Sequence, residues 1–559
     1  MSDASRTARI PVTPPMSNIS REIASAWSPL RHTLFRAVWI SSVVSNIGTW
    51  MQDVGAAWLM TSLSSSPLMV ALLQTATSLP FFLLALPAGA LADVIDRRRL
   101  LLFTQGWMLA AAAGLGVMTI GGATTPWILL AFSFALGIGT AMSMPVWQAT
   151  IPELVSQDEL PAAVTLGGVG FNVARAIGPA FGGFIVAAAG SGAVFFLNAA
   201  SFIGVILVLS RWRRPASERV LPPEHVTGAI RAGVRYVRHA QELRAVLVRT
   251  CVFILCSSAV WALLPLLARR VLGINALAYG VLLGFLGLGS VVCASILPRM
   301  RQHLSVDLLV GGATLLFAMA TVSLAYFHHY GVLCGVMAVG GIAWMALMSS
   351  FNVAAQTAAP AWVRARVLSV YLLVFMGGMA AGSVLWGAVA TRTGIPLALV
   401  IAAGGLVVGL GVAPRYRLQG AQQLDLTPSM HWPEPTVVIE PHPDQGPVLV
   451  MLEYRIDPER SRDFTLAMQA MKRARQRGGA IRWGLFRDAA DASRYVESFV
   501  VESWAEHLRQ HERVTIADRA AEDYVRVFHL GENPPIVSHF IHASPGVHRQ
   551  LTPSRSGEN

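Results

Sequence analysis

Apolar stretches long enough to cross a bilayer recur along this chain, separated by short polar or charged segments. Twelve can be marked: 35–63, 68–91, 100–121, 126–151, 160–189 and 193–209, then 246–267, 279–297, 308–327, 332–351, 365–391 and 395–412. About 20 apolar residues cross the roughly 30 Å hydrocarbon core as a helix. Only a helix or a closed barrel satisfies the backbone there, so each run reads as a transmembrane helix. Between the sixth and seventh runs the rhythm changes. Val226, Ile230, Val234 and Val237 recur at helical spacing beside Arg231, Arg235 and Arg238, the pattern of an amphipathic helix lying on the inner leaflet. After Val412 a proline-rich linker is followed by strand (Val448–Ile456), helix (Pro458–Arg477), strands (Ile481–Arg487, Tyr495–Val501), helix (Trp504–Phe528) and last strand (Ile536–His542). That order predicts a ferredoxin-like α+β domain.

The expected organisation is therefore a cytoplasmic leader (1–34) and a six-helix half (35–210), then a basic linker with its interfacial helix (211–245) and a second six-helix half (246–413). A linker (414–447), the α+β domain (448–543) and a tail (544–559) complete it. The leader has no continuous apolar core of the signal-peptide kind. With 54% hydrophobic and 13% charged residues and a mean hydropathy of +0.53, the 559-residue chain has too little polar surface for a soluble globule. The net charge of +12 comes from arginines collected between apolar runs, which act as topology signals and anionic-lipid contacts rather than as a nucleic-acid face. Those arginines favour one side; only Arg269, Arg270 and Arg392 fall on the other, so both termini are expected in the cytoplasm of a multi-pass inner-membrane protein. Cys251, Cys256, Cys293 and Cys334 lie inside apolar runs without metal-ligand spacing, and no cofactor is expected. No Gly-x4-Gly-Lys-Ser/Thr loop is present to couple nucleotide hydrolysis.

The densest local signal is Gly89-Ala-Leu-Ala-Asp-Val-Ile-Asp-Arg-Arg-Arg99, a charged turn between the second and third runs. Asp96 stands where it can cap the helix after it. Gly89, Leu91, Asp93, Arg97 and Arg98 resemble the signature between helices two and three of the major facilitator superfamily, with Val94 and Asp96 departing from it. Ser45-Asn-Ile-Gly-Thr-Trp-Met-Gln-Asp53 resembles the branch of secretion transporters that includes the enterobactin exporter. Gly178-Pro-Ala-Phe-Gly-Gly183 resembles the end of a fifth-helix motif associated with exporters, although Thr165 and Ala174 replace its upstream glycines. One internal shift sets this segment against Gly382-Ser-Val-Leu-Trp-Gly387 and pairs Gln148 with Asn352, as duplicated halves require.

The resemblance implies a two-half transporter in which Gly89, Asp93, Arg97 and Arg98, facing Arg364 and Arg366 at the start of helix eleven, gate the cytoplasmic side. Asn46 and Trp50 share a face of the first helix. With Asn172, Trp147, Gln148, Asn352 and Gln356 they are expected to line a cavity that binds by stacking and amide hydrogen bonds. Asp53 and Arg175 are expected at similar depth, as a pair whose separation couples transport to protons. In the C-terminal domain, His507 and His511 stand four apart, but Glu502, Glu506 and Glu512 mark that helix as a solvated surface without a metal or catalytic motif. The domain resembles antibiotic-biosynthesis-monooxygenase-type modules, which implies a homodimer through its sheet. The expected function is proton-coupled export of a small amphipathic siderophore, drug or metabolite. The alternative is a membrane-anchored sensor or enzyme whose C-terminal domain carries the activity.

Overall fold

Ten helices among the described residues are long and apolar enough to cross a membrane. The computed structural model describes residues 27–212 and 226–418 and, apart from 434, 436, 438–440 and 532, residues 425–543; the side chains of 85–86, 89–94, 157 and 226–232 lie outside that description. Most of the leader, the linker segment 213–225 and the tail 544–559 are likewise outside it.

The first group comprises α1 (Thr33–Leu63), α2 (Pro67–Val94), α3 (Arg97–Ile120), α4 (Pro126–Thr150) and α5 (Leu160–Arg211). Asp96 caps α3 by accepting a hydrogen bond from the Arg99 amide at 2.9 Å, which ends one helix and starts the next within a few residues. Helix α1 is not among the ten, because Asn46, Gln52 and Asp53 dilute its apolar run. Helix α5 is broken at Gly190, whose φ of 80° and ψ of 170° suit glycine alone. Both limbs then lie along α1: Gly182 on the first packs against Met51, and Asn198 on the second hydrogen-bonds to Gln52.

The linker helix α6 (Val226–His239) leads to α7 (Gln241–Leu266), α8 (Ala276–His303), α9 (Val306–Tyr326), α10 (Tyr330–Thr357), α11 (Arg364–Thr393) and α12 (Ile395–Gly409). The internal shift has a structural counterpart. A side chain at Gly178 would strike α1 and one at Gly382 would strike α7, while Gly183 abuts α8 and Gly387 abuts α2. Each repeat thus supplies one glycine that seats its own first helix and one that meets the opposite group.

The C-terminal domain comprises β1 (Val448–Arg455), α13 (Ser461–Gly478), β2 (Arg482–Arg487), β3 (Arg494–Val501), α14 (Trp504–Arg513), α15 (Ile516–Arg526) and β4 (Ile536–Ile541). Its antiparallel sheet has the order β2-β3-β1-β4. The single helix expected over 504–528 is two helices, because Thr515 and Asp518 form a capping box that starts α15 afresh. Beneath the sheet, Arg475 joins Glu497 at 3.2 Å and Glu522 at 2.9 Å, and Tyr454 and Trp483 donate to the fully buried Glu497.

The linker helix does not simply lie on a leaflet. In its described part, Gly233 packs against Arg366, the Tyr236 hydroxyl donates to the Ala358 carbonyl at 3.1 Å, and Arg235 pairs with Glu506 at 3.1 Å. Arg513 stacks 4.3 Å over the Trp362 ring in the α10–α11 loop. The helix is therefore clasped between the second group and the C-terminal domain. Tyr236 and Val237 there are held by protein while Val234 stays exposed, which periodicity alone could not distinguish from a lipid-facing stripe.

Candidate functional site

The two groups of helices meet along α5–α8 and α2–α11. At the end distant from the Arg97 hairpin, a Cβ added at Gly183 would lie 2.4 Å from the Ala276 carbonyl oxygen, and one at Gly280 2.4 Å from that of Pro179. Nearer the middle, Gly287 sits against Ala176. On the other seam Gly387 abuts Leu68 and Ala71, and Thr75 donates to the Ala380 carbonyl at 3.0 Å. Small residues permit this backbone approach, and dispersion between close-packed helices holds it in a bilayer.

On the α5–α8 seam the close contact stops toward the hairpin end. The α5 stripe that seals on α8 through Ala176, Ala180 and Gly183 continues into Val173, Val169 and Thr165, all exposed; on α8 the stripe Gly280, Gly284, Gly287 continues into Val291, Ala294 and Pro298, also exposed. The helices diverge there, leaving a cleft open at the hairpin end and sealed at the far end. Its apex lies at Arg175, whose guanidinium donates across the seam to Ser290 Oγ at 2.7 Å.

Several expected residues gather near this cleft. Trp50 is half-buried, seated at Gly178, with its ring edge-on to Phe171 at 6.2 Å; Asn46 is half-buried one turn away. Asn172 donates to the Gly168 carbonyl of its own helix at 2.9 Å. Gln356 donates to Asn352 at 2.5 Å, so these two amides satisfy each other along α10. Gln148 is exposed at the end of α4, and no hydrogen bond joins it to Asn352 among the described residues; Trp147 packs into the apolar cluster of Phe35, Val38 and Leu101 rather than offering an open face.

The expected Asp53–Arg175 pair is corrected. No ion pair joins them among the described residues. Helices α1 and α5 run parallel with Trp39 beside Leu166, Val43 beside Gly170 and Met51 beside Gly182. This register puts Asp53 about two turns nearer the far end than Arg175, on the order of 10 Å at 1.5 Å per residue. Counting from each helix start missed the offset, which is set by glycine packing. Asp53 itself is exposed, within electrostatic reach of Tyr279 on α8.

The hairpin arginines bind their own group of helices. Arg97 pairs with Glu153 at 2.7 Å and donates to the Ala149 carbonyl at 2.8 Å, while Arg98 donates to the carbonyls of Leu209 and Ser210 at the end of α5. Gly89 and Asp93 lie among the residues whose side chains are not described, so their facing of α11 is outside the described geometry. Arg364 donates to the Ala359 carbonyl at 3.4 Å, and Arg366 packs on the linker helix.

Three features were missed from sequence. Asn198 buries its amide against Gln52, and an asparagine inside the apolar run Phe-Phe-Leu-Asn was the available signal. Arg249 pairs with Asp307, which also accepts from the Leu418 amide and so ties the exit of the bundle to α9. The α14 face is not solvated. His507 is only 1% exposed, and its ring lies 5.0 Å from His511 and 4.7 Å from His539. Burial, reinforced by these neighbouring imidazoles, holds His507 down at about 3, and burial holds His511 at about 4, so both are neutral near pH 7.

The chain matches the transmembrane secretion effector family over residues 24–546. It is 24% identical to the staphyloferrin A transporter of Staphylococcus aureus over 360 residues, covering 64% of this chain and 89% of that one. It is 25% identical to the multidrug efflux pump Tap of Mycobacterium tuberculosis (69% and 94% covered) and to the enterobactin exporter EntS of Escherichia coli (68% and 91%). Among solved structures, a bacterial homologue of the human lysosomal transporter Spinster, inward-facing and occupied, superposes with a TM-score of 0.57 at 15% identity, covering 70% of this chain and 98% of that one. The nucleoside transporter NupG gives 0.52 at 14% identity, covering 70% and 99%. Two glycine-sealed groups of helices around a cleft, with a matching sequence family and fold, make this chain a transporter rather than an enzyme, and it belongs to the transmembrane secretion effector family of the major facilitator superfamily.

Proposed function

We propose that this protein exports a small amphipathic molecule, a siderophore or drug, from the bacterial cytoplasm across the inner membrane in exchange for protons. The observation that carries the reading is the cleft, sealed by Gly183, Gly280 and Gly387 at one end and open at the other. Relatives named for staphyloferrin A, enterobactin and multidrug efflux support the substrate class. Twelve crossings are proposed: the ten apolar helices, the polar α1, and the second limb of α5 counted separately. The arginine-rich hairpin then faces the cytoplasm with both termini, and the cleft is in its inward-open state. Alternating access follows by rocking one group against the other about the two seams.

In this scheme Asn46, Trp50, Asn172, Trp147, Gln148, Asn352 and Gln356 face or border the substrate path. Asp53, the one carboxylate placed midway along α1, takes up and releases the proton, because an intramembrane carboxylate is costly unless it serves an aqueous path. Gly89, Asp93, Arg97 and Arg98 with Arg364 and Arg366 form the cytoplasmic gate. The C-terminal domain is proposed as ferredoxin-like, consistent with its chain order and its antiparallel β4-β1-β3-β2 sheet. Its outer sheet face exposes Phe486 at 61% and Phe540 at 52%, which suits pairing with a second copy. Basic residues beside the spans contact anionic lipid headgroups. Accumulation of a siderophore and drug panel in cells with and without the protein tests the function. Lower retention of at least one compound, reversed by collapsing the proton gradient, is expected; equal retention of all would refute export.

A further inference from the structure

The apex of the cleft holds a charge with no counterpart among the described residues. Arg175 is 9% exposed, yet among the described residues its one hydrogen bond, from Nη2, is to the neutral Ser290 hydroxyl, and its Nε is buried without a partner. Ser290 is itself held, donating toward the Leu286 and Gly341 carbonyls at 2.9 and 3.1 Å. No carboxylate lies within ion-pair distance of Arg175 among the described residues, and Asp53 is about two turns away on the register given above. Elsewhere in the bundle the buried guanidinium of Arg249 has Asp307. A buried cation is expensive in a membrane unless an anion or water compensates it. Here the uncompensated group stands where α5 and α8 stop touching, one residue from the last close contact at Ala176 and two residues from the exposed Val173.

We propose that Arg175, positioned by Ser290, is an anion-recognition residue for the transported molecule, so that the substrate carries a carboxylate or an acidic phenol that docks at the apex. This rests on the export reading above and narrows its substrate class. The fork of a guanidinium favours a planar anion, offering two parallel donors where an ammonium offers one point charge. The Trp50 and Phe171 rings, on α1 and the adjoining turns of α5, supply an aromatic surface for the rest of the molecule. Because Ser290 belongs to the second group of helices, an anion that drew Arg175 away would loosen a polar tie across the seam as it bound.

The test uses the full chain in liposomes and binding read by tryptophan fluorescence. The probes are citrate and 2,3-dihydroxybenzoate as anions, with tetraphenylphosphonium as a cation. Arg175→Gln should weaken the anions by at least about tenfold, the loss expected for one charged hydrogen bond, and leave the cation unchanged. Arg175→Lys, which keeps the charge should the glutamine variant fail to fold, should retain binding with a smaller loss. Equal weakening of anions and cation, or none, overturns the proposal. A lipid headgroup is the other source of such an anion. Wild-type binding that is strong in phosphatidylcholine vesicles and abolished by phosphatidylglycerol would assign the site to lipid and overturn the substrate assignment. Failure of the wild type to move any compound in the cell panel would instead defeat the export reading, independently of these variants.

Discussion

Replacing Gly183 by alanine should push the transporter out of the state described here. The added Cβ would lie 2.4 Å from the Ala276 carbonyl oxygen, 3.0 Å from the Gly280 Cα and 3.2 Å from the Ala276 carbonyl carbon. All three are backbone atoms, so no side-chain rotation relieves the clash. Ordinary contact begins near 3.4 Å, so α5 and α8 must part by about 1 Å at the sealed end. Overpacking of this kind costs about 1–3 kcal/mol. Because the cost falls only on the state in which the far end is closed, it becomes a population shift of roughly 5- to 150-fold toward the opposite state. In a cysteine-free background, a single cysteine at Ala294, exposed on the cleft stripe of α8, should react with a membrane-impermeant maleimide more slowly from the hairpin side once Gly183→Ala is present. Gly404→Ala, where an added Cβ meets nothing within 4 Å, is the control and should leave the rate unchanged. Undiminished labelling in folded Gly183→Ala would refute the glycine seam as the closure that defines this state.

Asp53→Asn should abolish flux driven by an imposed pH gradient in proteoliposomes while substrate binding persists; full proton-driven flux in the variant would end Asp53's coupling role. The C-terminal domain should lose stability on acidification. His507 sits near 3 when folded against an ordinary 6.5, so the unfolded chain binds more protons between those values; its contribution is complete above pH 6.5 and falls by about 1.4 kcal/mol per unit below it, about 2 kcal/mol at pH 5. Thermal melts of the full chain at pH 7 and 5 measure this, and His507→Phe should flatten the slope. A slope unchanged by that substitution would assign the acid sensitivity elsewhere. Glu506→Gln removes the shared partner of Arg235 and Arg513, and with Trp362→Ala it should release the C-terminal domain from the bundle, seen as faster proteolysis between 419 and 447. Protection equal to wild type would mean that other contacts hold the dock.

Apolar runs and arginine placement sufficed to indicate a helical membrane protein with a small α+β domain, because crossing a bilayer demands about 20 apolar residues whatever their neighbours are. The internal shift relating Gly178 and Gly183 to Gly382 and Gly387 was also visible in the chain, since a duplicated packing role leaves duplicated glycines. Sequence could not say that Gly183 and Gly387 cross to the opposite group while Gly178 and Gly382 seat their own. That depends on which helix lies against each face, and a glycine carries no mark of its partner. The same limit misplaced Asp53 and Arg175. Depth along a single helix follows from residue count, but relative depth between helices follows from how their glycines interlock, and here that register separates the two charges. His507 and Glu506 were read as solvent-facing because their neighbours are charged. Only the docking of α14 against β4 and the linker helix buries the imidazole and brings Arg235 of that helix to the carboxylate. Local pattern fixes what each segment can become; contacts between segments distant in the chain decide which polar groups end up paired, buried or open to the cleft.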